Sequence, residues 1–159
     1  MTAILRPSTP AGDLIAHILE RFHATHRREL PELVALAREV EQRHADHPAA
    51  PHGLGDALAL LQIDLEAHMR KEETELFPAL LDGRRQGLAA TAGAVRHDHD
   101  FQDESLALIR ELAHYFHLPA DACVSWRELY AGISKLIGDL DEHMRLENHE
   151  ILAELAAAA

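Results

Sequence analysis

A single cysteine, Cys123, excludes an internal disulfide, and a lone thiol of this kind reads as core filler ahead of a nucleophile. Aromatic residues make up only 4% of the chain and β-branched residues are sparse, which gives sheets little support. Basic residues are in deficit, 15 against 27 acidic ones, for a formal charge of −12. A field of that sign repels phosphate backbones and argues against direct nucleic-acid binding. No apolar run approaches the roughly twenty residues of a membrane span. The opening "MTAILRPSTP" has no apolar stretch of the length a signal peptide needs. These absences point to a cytoplasmic protein with neither membrane nor nucleic acid as partner.

What is plentiful is leucine, alanine and histidine. The 159 residues are 47% hydrophobic, enough for one domain with a real core, and favour helices. Thirteen histidines are more than composition explains. Breakers at "HADHPAAPHGLG" (44–55), "LLDGRRQGLAA" (80–90) and "HLPADA" (117–122) separate four long helix-forming segments without strand alternation. The expected fold is all-α: an up-down-up-down four-helix bundle over 13–155, after a flexible arm at 1–12. Pro31 is expected to kink or break the first helix. The end "LAAAA" reads as frayed.

The pentapeptide H-M-R-x-E occurs twice, at His68 and at His143 (143 − 68 = 75). The repeat extends well beyond it. The second-helix stripe Leu54, Leu58, Leu61, Leu65, His68, Glu72, Leu76 returns as Leu129, Ile133, Leu136, Leu140, His143, Glu147, Ile151. Its spacing is that of one buried helical face, so each His and Glu stands within the apolar stripe. The first and third helices match at an offset of 76: Leu30, Leu33, Leu36, Ala37 and Val40 answer to Leu106, Ile109, Leu112, Ala113 and Phe116. That register pairs His23 with His99 (99 − 23 = 76).

Residues four apart share a helical face, so His68 projects with Glu72 and His143 with Glu147. In an antiparallel bundle His23 and His99 come to the same level. Six polar groups in an apolar core are costly unless something pairs with them, and two metal ions would do so. Imidazole and carboxylate without thiolate suit iron ahead of manganese or zinc. Two bridging glutamates and two histidines per ion give each four protein donors, with room for a solvent-derived bridge and an open position. A single buried histidine is more often a hydrogen-bonded core residue; six residues placed at one depth by a repeat favour the metal.

Asp64 and Asp139, one turn before His68 and His143, are candidates to accept the second imidazole N–H, with Asp98 a further one. In the third helix His99 lies nearer the apolar stripe than His97. In the first, the stripe favours His26 and the repeat register favours His23, which is preferred. His44 joins the site only if the chain reverses near Pro31. His17, His47, His52, His114, His117 and His149 read as surface or loop residues, and Tyr115, Trp126 and Tyr130 as core packing.

The layout His23, His68-x-x-x-Glu72, His99, His143-x-x-x-Glu147 resembles hemerythrin-like domains. "FHATHRRELPEL", "HADHP", "EAHMRKEETELFP", "CVSWRELYAGI" and "DEHMRLEN" resemble more narrowly the di-iron domain of the iron–sulfur cluster repair (repair of iron centres) proteins, over 13–152. The resemblance implies a hemerythrin-like four-helix bundle holding two non-haem iron ions with an oxo or hydroxo bridge. Its ligands carry over to His23, His68, Glu72, His99, His143 and Glu147, and relatives often have a histidine at the place of His44. It implies a part in oxidative and nitrosative stress, with damaged iron–sulfur proteins or the gases nitric oxide and oxygen as partners. Many members carry an N-terminal domain with a cysteine pair, which this chain is expected to lack. Oxygen-carrying relatives have a second histidine four residues after the third-helix ligand, where this chain has Asp103. Cluster repair, by iron donation or by reaction with nitric oxide, therefore leads. A gas- or iron-binding sensor without turnover is the alternative, and a structural bundle with zinc or no metal the third reading.

Overall fold

Thr9 takes an extended backbone, its hydroxyl accepts from the Gly12 N–H at 3.1 Å, and Pro10 fills the first helical turn. In the computed structural model, which describes residues 9–157, this cap starts helix α1 (10–43). The helix thus begins three residues before the expected start of the bundle at 13; residues 1–8 lie outside the described residues. Helix α1 runs through Pro10–Ile18, a wide π-helical turn at Leu19–His23, and Ala24–Arg43. Helix α2 (54–81) comprises Leu54–Lys71, a π turn at Glu72–Leu76 and Phe77–Leu81. Helix α3 is Ala89–Leu112, and α4 (124–157) comprises Val124–Leu146, a π turn at Glu147–Leu152 and Ala153–Ala157. No strand occurs among the described residues, and no helix of theirs is long and apolar enough to cross a membrane.

Side-chain pairings fix the helix directions. Between α1 and α4, Arg21 meets Asp139 and Lys135 meets Glu29, so one numbering rises as the other falls. Arg27 reaches Glu73 and Arg38 reaches Asp56 across α1 and α2. Arg96 bonds the Leu152 carbonyl and Arg110 lies near Asp141 across α3 and α4. The molecule is the expected all-α, hemerythrin-like up-down-up-down bundle.

All fourteen residues of the duplicated stripe are buried. The buried apolar residues of the bundle divide into two clusters. The larger contains Leu30, Leu58, Leu65, Met69, Leu106, Ile133 and Leu140; the smaller contains Ile18, Phe22, Leu76, Val95, Ile151 and Leu155. His23, His68, Glu72, His99, His143 and Glu147 belong to neither and occupy the layer between them.

Three expectations change. The helix runs through Pro31 unbroken. Pro31 removes one backbone donor, while Leu30, Leu33 and Val34 beside it are buried in the bundle and hold the turn in place. Tyr115 is 66% exposed rather than packed, because α3 is followed by three consecutive left-handed residues, His114, Tyr115 and Phe116 (φ 49°, 52° and 64°). Trp126 and Tyr130 are core residues as expected. In the "LAAAA" end, Leu155 is buried in the smaller cluster.

Candidate metal centre

Each of the six residues selected by the repeat is at most 3% exposed. Their inward atoms form two groups, His23 with His143 and His68 with His99, and both groups share Glu72 and Glu147. Within each group one ligand-type atom per residue lies within 4.8 Å of the others, close enough for one cation. Glu147 is the hub: Oε1 lies 2.6 Å from His143 Nε2 and 4.0 Å from His23 Nε2, and Oε2 lies 2.9 Å from His99 Nε2 and 3.6 Å from His68 Nε2. Oε2 of Glu72 lies 3.2 Å from His23 Nε2 and 3.5 Å from His68 Nε2. Thus all four imidazoles present Nε2 to two carboxylates.

Both oxygens of Glu72 and the Nε2 atoms of His23 and His68 are buried without a hydrogen-bond partner. Burial, and then the charge of Glu147, push the Glu72 carboxyl up to about 8. Burial works to raise Glu147 as well, but the neighbouring His143, His68 and His99 imidazoles outweigh it and hold Glu147 well below the usual range. In the polypeptide alone the two carboxylates therefore do not share one charge state near neutral pH. A pair of cations would remove that conflict and supply the orphaned atoms with partners. The donor set, imidazole nitrogen and carboxylate oxygen without sulfur, fits first-row transition ions.

The opposite ring nitrogens are held from neighbouring helices. Glu73 Oε1 accepts from His23 Nδ1 at 2.8 Å, and Asn148 Oδ1 accepts from His99 Nδ1 at 2.9 Å. These two acceptors are themselves a repeat pair (148 − 73 = 75), the residue after each glutamate. His68 Nδ1 lies 3.4 Å from Asp98 Oδ2, which Lys71 also binds at 2.6 Å. His143 Nδ1 lies 3.2 Å from His26 Nε2. Phe22 stacks on His143 and Phe77 on His23, with centroids 5.2 and 5.8 Å apart. The π turns end at His23 and begin at Glu72 and Glu147. Such widened turns gather at functional sites, where they re-aim a side chain without breaking the helix.

Of the proposed supports, Asp98 meets an imidazole, that of His68 and not of the adjacent His99, whereas Asp64 and Asp139 do not reach theirs. Asp139 is taken by Arg21 at 2.7 Å and Lys135 at 2.8 Å. Burial works to raise its carboxyl, and those two cations outweigh it and keep it below the usual range. A depressed carboxyl adds stability above its unfolded pKa that is lost as pH falls through its folded value. Asp139→Asn is therefore expected to cost about 0.5–1 kcal/mol at pH 7, discounted for the exposed cations, and almost nothing near pH 2. Urea unfolding at the two pH values measures the difference.

His26, which the apolar stripe favoured, is buried behind His143, while His23 takes the inward place the repeat assigned to it. His44 is excluded from the centre, because α1 continues unbroken from His23 to Arg43 and so sets His44 about 31 Å along the helix from His23. Its Nε2 lies 3.1 Å from Cys123 Sγ, beside Trp126. His17, His52, His97, His114, His117 and His149 are exposed, and His47 is half-buried against Trp126. Asp103 is exposed. A cleft of about 440 Å³ between α1 and α2 is lined by His26, Leu30, Ile63 and Met69, and one of about 150 Å³ reaches His68 and Gln102.

Residues 14–155 match the hemerythrin HHE cation binding domain. The chain is 44% identical over 142 residues to the iron-sulfur cluster repair protein YtfE of Musicola paradisiaca, covering 89% of this chain and 64% of that protein. It is 42% identical over 140 residues to the protein of that name from Dickeya chrysanthemi, with 88% and 63% covered. With that from Escherichia coli O157:H7 it shares 38% identity over 150 residues, with 94% and 68% covered. The chain thus spans a little under two thirds of the length of the first two relatives.

Proposed function

The chain belongs to the hemerythrin HHE cation-binding domain family, and from that premise we propose a cytoplasmic non-haem di-iron protein that repairs damaged iron–sulfur clusters under oxidative or nitrosative stress. His23 and His143 would hold one iron, His68 and His99 the other, and Glu72 and Glu147 would bridge them. Bound there, two irons with a solvent-derived bridge would supply redox chemistry and an open position for nitric oxide, or a labile ion for a damaged cluster.

One observation carries this reading: two groups of buried donors share both carboxylates, and the Glu72 oxygens among them have no hydrogen-bond partner among the described residues. The names of the relatives support cluster repair as the use of such a centre. The residues' own part is to hold the ions, orient the imidazoles and exclude water between the two apolar clusters. The cleft at His68 offers a way in for a small ligand or out for an ion.

The test is anaerobic incubation of the iron-loaded protein with a [4Fe–4S] protein damaged by nitric oxide. Recovery of cluster absorbance in step with iron lost from this chain supports donation. Recovery without iron loss, accompanied by consumption of nitric oxide, supports reaction with the gas. Reversible gas binding with no recovery would leave a sensor or carrier in its place.

A further inference from the structure

An imidazole that offers Nε2 to a cation carries its proton on Nδ1, and that N–H needs an acceptor to fix tautomer and ring orientation. His23, His99 and His68 have oxygen acceptors in Glu73, Asn148 and Asp98. His143 has none. Its Nδ1 meets only His26 Nε2, at 3.2 Å, and both rings are 1% exposed.

The internal repeat explains how this acceptor differs from the others. Stepping 76 residues back from Asp98, which serves His68, leads to Phe22 (98 − 76 = 22). Phe22 cannot accept; its ring lies flat on His143 with 4° between planes. Stepping 76 forward from His26 leads to Gln102 (26 + 76 = 102), buried at 2% exposure with both amide atoms unpartnered. One half of the molecule thus uses the Asp98 position and leaves the Gln102 position idle. The other half fills the Asp98-equivalent place with a ring, and the acceptor comes from His26.

We propose that His26 is a positioning residue for the metal centre: its Nε2 accepts the His143 Nδ1–H and so keeps His143 Nε2 free for the ion shared with His23. The inference rests on the metal-centre reading above. It adds that the two ion positions are secured differently and can be weakened one at a time.

The test is a Co²⁺ titration of metal-free protein against a competing chelator, with circular dichroism to check folding. Wild type should bind two ions. In His26→Leu, which keeps bulk and removes the acceptor, one position should weaken about 10- to 100-fold and the other stay as in wild type. His26→Gln, the residue the repeat has at 102, should recover most of that loss through its amide oxygen. Two unaltered positions in His26→Leu, equal weakening of both, or no recovery in His26→Gln would each overturn the proposal. Should His26→Leu not fold, zinc-loaded wild type decides: nitrogen-15 NMR should find the His143 proton on Nδ1 coupled to His26 Nε2, and a proton on His26 Nε2 overturns it. A wild type that takes up no Co²⁺ would instead remove the metal-centre reading and this proposal with it.

Discussion

Glu147→Ala is expected to empty both ion positions at once, taking metal content from about two per chain to well under one. The reason is geometric. Glu147 is the group that faces all four imidazoles, with Oε1 toward the His143 and His23 pair and Oε2 toward the His99 and His68 pair. Removing it deletes one donor from each position. His99→Ala should behave differently, since His99 belongs to one group only; it should lose one ion and keep the other. Elemental analysis of the two variants, purified alike from iron-replete cells, separates the cases. Two irons retained by Glu147→Ala would show that the carboxylate is not a bridge. Circular dichroism of the metal-free variant separates loss of metal from loss of fold, because the substitution takes the acceptor from His143 Nε2 and His99 Nε2.

Stripping the metal with a chelator under reducing conditions is expected to lower Tm by more than about 10 °C. Each ion bound to the folded state alone at a thousand times its Kd contributes about 4 kcal/mol. A domain of this size shifts by about 2–4 °C for each kcal/mol. The structure gives that gain a location. Without cations the layer between the two apolar clusters holds six buried polar groups, two of them carboxylates at close quarters. Glu72 is pushed up to about 8 by its burial and by Glu147, so without cations it is mostly protonated at neutral pH, and cation binding displaces that proton. Calorimetry with and without chelator measures the shift, and equal Tm values would mean that the layer is self-sufficient and the metal incidental. Restoring Fe²⁺ or Co²⁺ should return Tm to its starting value.

Much of this molecule is legible from the chain by itself. A 3.6-residue period and long segments between breakers specify helices, and helices with one apolar face must pack on each other, so an all-α bundle follows. The six residues of the centre are visible for a related reason. A histidine and a glutamate inside an otherwise leucine stripe conflict with burial, and the same conflict repeated at an offset of 75 marks it as designed into both halves. His23 over His26, the choice the stripe disfavours, comes from the repeat register; in the structure His23 Nε2 lies 3.2 Å from Glu72, and His26 Nε2 lies 3.2 Å from His143 Nδ1.

Tertiary structure decided what depends on neighbours in space. The acceptors Glu73, Asn148, Asp98 and His26 each stand on a different helix from the imidazole they hold. Periodicity along one helix says which face is inward but not what the adjacent helix presents at that height, so Asp64 and Asp139 looked equally suitable. The π turns at His23, Glu72 and Glu147 are likewise settled by the fit of the bundle around the centre. The fates of Pro31 and Tyr115 followed the same division: local chemistry proposed a break and a buried ring, and packing kept the first helix whole while the left-handed residues after α3 turned the ring outward. The chain specifies which residues must be buried together; only the packed bundle specifies which atoms of them meet, because hydrogen bonds and ion positions are set by distances of a few ångströms across helices that sequence spacing does not encode.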